Sequence, residues 1–153
     1  MQRDQLAQSV IDCCLAMNAS GINQGSAGNV SLRHGDGFLI TPSGLAYDRM
    51  SPADIVFVDM DGVPETGALK PSSEWRMHLD IYKAKPDAGA VVHCHSPRAT
   101  ALACLNRGIP AFHYMVAQAG GDRIDCAPYA TFGTAALSEV MIAALGARNA
   151  CLL

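Results

Sequence analysis

Apolar residues recur at helical spacing near the start of the chain, at Leu6, Val10, Cys14 and Met17. That period predicts an amphipathic helix over residues 2–19, ended by Gly21. A loop rich in glycine, serine and asparagine follows, from Asn23 to Asn29. The pattern then reads as strands over 30–33 and 37–41, around a turn containing Gly35, Asp36 and Gly37. Thr41-Pro42-Ser43-Gly44 is another turn. Residues 55–60 are strongly apolar and predict a strand, with Asp61-Gly62 as a hairpin turn signal.

Pro71-Ser72-Ser73-Glu74 has the chemistry of a helix start, because serine hydroxyls can take the exposed N–H groups of a first turn. The helix runs through Trp75, Leu79 and Tyr82 to about Lys85. Asp87-Ala88-Gly89 then turns the chain into an apolar strand over 90–95. Ser96-Pro97 is a cap followed by proline at the first helical position, opening a helix to about Arg107. Gly108 and Pro110 end it. A last helix is expected over 134–145, stopped by Gly146, and Ala150 to Leu153 reads as the start of an apolar strand. The sum is an α/β protein with a mostly antiparallel sheet and helices packed on it.

The 153 residues fit one domain, read as 1–153. Half of them are hydrophobic and only 16% are charged, which excludes a disordered or linker-like chain. The formal net charge of −3 offers no basic field, so no nucleic-acid partner is expected. Arg3, Asp4 and Asp12 interrupt the N-terminal segment, so neither a signal peptide nor a membrane span is expected. The six cysteines form no CxxC pair. They read as reduced, mostly buried thiols of a cytoplasmic protein.

His93-Cys94-His95 is the sharpest chemical signal. On a strand the two imidazoles project to one face while Cys94 points to the other, giving two ligands for zinc or a similar metal. A pair of core or surface histidines is the plain alternative. Glu74 sits where a carboxylate is favoured by the helix dipole, and Ser72 and Ser73 are sufficient as caps. Those same serines, with Gly28-Asn29 and Ser43-Gly44, also offer neutral donors for a phosphate. Taken singly, each is an ordinary turn. A competing motif, Asp59-Met60-Asp61-Gly62-Val63 after an apolar strand, is similar to the nucleophile strand of haloacid-dehalogenase-like phosphatases. Asp122 and Asp125 are wrongly spaced for that family's magnesium pair, so an Asp-Gly turn is the expected reading.

The ordered set Gly28-Asn29-Val30-Ser31, Thr41-Pro42-Ser43-Gly44, Pro71-Ser72-Ser73-Glu74 and His93-Cys94-His95 resembles the class II aldolase/epimerase family. His113-Tyr114-Met115 and the run Ala127 to Gly133 extend the resemblance over the whole chain. It implies a three-layer fold with a central, mostly antiparallel sheet flanked by helices. It implies one zinc per subunit, held by Glu74, His93 and His95. Catalysis would fall to Glu74 and Tyr114, with the substrate phosphate at Gly28, Asn29, Ser43, Gly44, Ser72 and Ser73. Phe132 would line the substrate pocket at a subunit interface of a homotetramer.

The reaction so implied is retro-aldol cleavage of a ketose 1-phosphate, such as L-fuculose 1-phosphate, to dihydroxyacetone phosphate and L-lactaldehyde. An epimerase, decarboxylase or dehydratase on the same scaffold, or a non-catalytic binding module, is the alternative. The family's third zinc-binding histidine follows an apolar strand and matches no residue here. It is therefore expected beyond Leu153, in a C-terminal part that this chain lacks, without which the site would bind zinc weakly.

Overall fold

The helix α1 (Arg3–Ala19) buries Ala7, Val10, Ile11, Cys14 and Met17 along one side, as the heptad-like spacing requires. Gly21 follows it at a φ of 73°, a left-handed conformation that suits glycine. The computed structural model describes residues 3–153; position 2, where the expected helix begins, lies outside the described residues. The chain divides into two compact units, Met1–His95 and Ser96–Leu153.

In the first unit, β1 (Asn29–His34), β2 (Gly37–Ile40), β3 (Val56–Asp59) and β4 (Ala90–His93) form one sheet in the order β3-β2-β1-β4. Every neighbouring pair is antiparallel. Alternation along the strands sends side chains to two faces. Val30, Leu32, Leu39 and Phe57 pack with α1 and Ile55 on one face. Phe38, Ile40, Val56, Val58 and Val91 pack on the other against Trp75, Leu79 and Tyr82. These last three belong to α2 (Trp75–Ala84), so a helix covers each face of the sheet. The expected layering is present in this unit. Each fully buried aliphatic side chain contributes about 1.5–3 kcal/mol of transfer free energy, and both faces hold several.

The β3 turn is closed by Asp59. Its Oδ1 accepts the N–H groups of Asp61 and Val63 at 2.9 and 2.8 Å, and Gly62 has a φ of 84°. That is the ordinary turn, and it engages the carboxylate that a phosphatase would need as nucleophile.

The second unit holds α3 (Pro97–Ala103), a 3-10 helix at Tyr114–Ala119 and α4 (Ala135–Leu145). Thr134 caps α4 by accepting the Leu137 N–H at 3.2 Å, and Gly146 ends it at a φ of 52°. Ile109 and Ile124 exchange two backbone hydrogen bonds at 2.8 and 2.9 Å. Arg148 pairs with Asp125.

Four expectations change. The strand ends at His93, two residues early. The helix after Pro97 stops at Ala103 rather than Arg107, because the chain turns there and Asn106 takes a φ of 52°. Leu152 makes only an isolated parallel bridge to Cys126 instead of opening a strand. The cysteines are less buried than expected: Cys14 is buried, Cys104 exposed and the other four are half-buried, all as free thiols. Among the described residues, no helix is long and apolar enough to cross a membrane.

Candidate functional site

Glu74 stands immediately before α2, as its N-cap residue. The sequence favours that start because Pro71 blocks a helix running through it and the two serines prefer capping positions. Ser72 Oγ accepts the Glu74 N–H at 3.3 Å, and the Ser72 carbonyl takes that of Trp75 at 3.0 Å. Glu74 is only 9% exposed, yet its Oε2 meets two polar atoms of the sheet. Asn29 Nδ2 donates to it at 2.8 Å, and His93 Nε2 lies 3.3 Å away.

Asn29 and His93 are direct partners across the β1–β4 ladder, which puts both on the α2 face. His93 Nε2 is in turn 3.1 Å from His95 Nε2. The expected convergence of the two imidazoles is present, although His95 has left the strand. Its N–H goes to the Asn23 side-chain oxygen at 3.1 Å instead of to a ladder partner. Asn23 is 3% exposed and is itself held by Asn18, so His95 has a fixed anchor. Cys94 packs on the opposite, α1 face.

Burial pushes the His93 imidazole below its ordinary pKa; the Glu74 carboxylate opposes that shift and His95 adds to it. Among the described residues, no group of three or more His, Cys, Asp or Glu side chains is placed to hold a metal ion as it stands. Glu74, His93 and His95 are linked instead by the two contacts through His93 Nε2. Donors on a tetrahedral zinc at about 2.05 Å stand about 3.3 Å apart. The 3.1 and 3.3 Å separations are of that size. Two imidazole nitrogens and a carboxylate oxygen also suit zinc chemically. In ligand chemistry and in these two separations, Glu74, His93 and His95 fit the metal.

The turns with neutral donors converge as well. Ser43 N–H bonds to the Lys70 carbonyl at 2.8 Å and Ser72 N–H to that of Thr41 at 2.9 Å, with Pro42 and Pro71 bridged between them. Thr41 N–H reaches the Val30 carbonyl at 3.2 Å, tying this pair of loops to the segment that carries Gly28 and Asn29. Ser43, Gly44 and Ser73 are exposed, whereas Gly28, Asn29 and Ser72 are buried. Thr41 Oγ1 is buried with no hydrogen-bond partner at this junction. Tyr114 and Phe132 lie in the second unit, at 80% and 71% exposure. Tyr114 stacks on His113 with ring centroids 4.4 Å apart, beside an open cavity of about 380 Å³.

One set of residues was not anticipated. His78, fully buried, places Nε2 2.5 Å from Asn29 Oδ1 and Nδ1 2.7 Å from Ser31 Oγ, which lies 2.8 Å from Tyr82 OH. Glu74, His78 and Tyr82 follow one another at i, i+4 and i+8 along α2 and its N-cap. Asn29 and Ser31 alternate on β1. Two polar rows with matching periods were the signal.

Comparison with known proteins adds the lineage. Residues 8–153 match the family model described as class II aldolase and adducin N-terminal domain. The L-fuculose phosphate aldolase of Escherichia coli (strain K12) is 56% identical over 153 residues, all of this chain and 71% of that protein. The 5-methylthioribulose-1-phosphate/5-deoxyribulose-1-phosphate aldolase of Rhodospirillum rubrum is also 56% identical, over 99% of this chain and 68% of that one. A solved L-fuculose 1-phosphate aldolase superimposes with a TM-score of 0.95 at 37% identity, covering all of this chain and 73% of that structure.

Proposed function

The chain belongs to the class II aldolase and adducin N-terminal domain family, and from that membership and the site geometry we propose that it is a lyase cleaving a ketose 1-phosphate. The observation that carries the reading is Glu74 Oε2 at 3.3 Å from His93 Nε2, with His95 Nε2 a further 3.1 Å on. Glu74, His93 and His95 would hold zinc, which when bound supplies a Lewis acid for the negative charge that develops on the substrate's oxygens.

The chain's own groups account for the rest. Breaking the carbon–carbon bond leaves an electron pair on the dihydroxyacetone phosphate half, and that carbon must then receive a proton. Glu74 is the acid/base at this carbon. The hydroxyl on the other half loses its proton as it becomes the aldehyde, and Tyr114 handles that proton. Gly28, Asn29, Ser43, Gly44, Ser72 and Ser73 hold the phosphate through neutral donors, which do not draw charge away from the metal. Thr41 adds an unpartnered hydroxyl where these loops meet. Phe132 lines the aldehyde end. The protein works in the cytoplasm as a homotetramer.

L-Fuculose 1-phosphate, giving L-lactaldehyde, is the first substrate to test. A 5-deoxyribulose or 5-methylthioribulose 1-phosphate is the second, because the relative that acts on those sugars is as similar as the fuculose phosphate enzyme. These substrates share the dihydroxyacetone phosphate half and differ only beyond it. The test is release of dihydroxyacetone phosphate from each sugar by the zinc-loaded protein, compared as kcat/KM. Glu74→Gln is expected to lower kcat by at least about 100-fold. Release from none of these sugars, or an undiminished rate in Glu74→Gln, defeats the reading.

A further inference from the structure

The buried line Glu74–Asn29–His78–Ser31–Tyr82 can be polarised in only one direction. A carboxylate only accepts, so the Asn29 amide must turn its NH2 toward Glu74 Oε2, which leaves Oδ1 for His78. An oxygen there requires His78 Nε2 to carry the proton. Burial holds His78 neutral, pushing its pKa down to about 3, with His93 adding a smaller effect in the same direction. Nδ1 is therefore a bare acceptor, and Ser31 Oγ–H donates to it. With that proton committed, Tyr82 OH must donate to Ser31.

We propose that His78 is a positioning residue whose Nε2–H, with Nδ1 satisfied by the Ser31 hydroxyl, holds the Asn29 amide in the one orientation presenting an N–H to Glu74. The opposite tautomer would turn the Asn29 carbonyl toward the carboxylate and repel it from its place beside His93. Because Asn29 Nδ2 and His93 Nε2 meet the same Glu74 oxygen, the line aims that oxygen at the proposed ligand set. Partners behind a metal ligand tune metal affinity by orienting it. In this respect the inference rests on the reading of Glu74 as a ligand.

The test is histidine side-chain 15N NMR of the full chain, combined with zinc affinity by chelator competition. In the wild type His78 should show a protonated Nε2 and a bare Nδ1, unchanged between about pH 5 and pH 8. Ser31→Ala leaves the buried Nδ1 without a donor, so His78 should lose its fixed place against Asn29 and zinc binding should weaken about tenfold. Tyr82→Phe removes a buried hydrogen bond but leaves Ser31 free to donate, so the tautomer should persist and zinc affinity change less than about threefold.

An Nδ1–H tautomer in the wild type overturns the proposal, whatever the protein does with zinc or sugar. So does a loss of zinc affinity in Tyr82→Phe equal to that in Ser31→Ala, since general loosening would then suffice. The expected tautomer in a chain that takes up no zinc supports the Asn29 orientation and defeats only the metal reading of Glu74.

Discussion

Gly28 passes so close to the carbonyl oxygen of His93 that no side chain fits between them. A Cβ at position 28 would fall inside van der Waals contact with that oxygen and 3.0 Å from Asn23 Oδ1. Tyr47 fixes the other side, its hydroxyl donating to the Gly28 carbonyl at 2.5 Å. Gly28 thus abuts the backbone of the histidine pair as well as the neutral-donor loops.

Gly28→Ala should therefore injure the histidines before it touches any phosphate. The backbone on both sides must shift, at a cost of about 1–3 kcal/mol. Urea unfolding should show that loss, and zinc affinity should fall with it. Unchanged zinc affinity alongside weaker substrate binding would mean that the glycine serves the phosphate alone.

Acid should destabilise the protein earlier than its carboxylates predict. His78 has a folded pKa of about 3 against an ordinary 6.5, so between those values the unfolded chain binds the extra proton. Stability then rises with pH across that window, and falls as pH drops below about 6.5 by at most about 1.4 kcal/mol per unit. His93, also shifted down, adds in the same direction. Denaturant midpoints measured from pH 7 down to about pH 5 check this; a flat profile over that range would contradict it.

Asp59→Ala should behave as a turn mutation. Two backbone N–H groups lose their acceptor, which costs about 1–2 kcal/mol. Sugar-phosphate cleavage in the folded fraction should stay within about twofold of the wild type. A collapse of that activity without loss of stability would reopen a chemical role for the carboxylate.

Much of this was legible in the chain. The helix at Trp75, the β1–β2 hairpin and the last helix with its stop at Gly146 carry local signals that tertiary structure had no reason to override. The apolar run before His93 predicts a strand that continues through His95; the Asn23 side chain captures the His95 N–H from far away in sequence, and no local pattern encodes that. The 3-10 helix at Tyr114–Ala119 is too short for periodicity to reveal. An isolated histidine on an amphipathic helix, as His78 is in sequence, resembles any other. Its meaning comes only from Asn29 and Ser31 on the strand opposite.

The alternation of β1 gives this site an unusual dependence on folding accuracy. Val30 and Leu32 complete the α1 core, while Asn29 and Ser31, their immediate neighbours, supply the polar line beneath α2. A slip of one residue would exchange the two sets, pressing valine and leucine against His78 and burying an asparagine and a serine in the oil of the other face. Mispaired chains would be both unstable and chemically blank. The hydrophobic core thereby acts as a checkpoint, because the pairing that satisfies it is also the one that assembles the proton-ordered line behind Glu74.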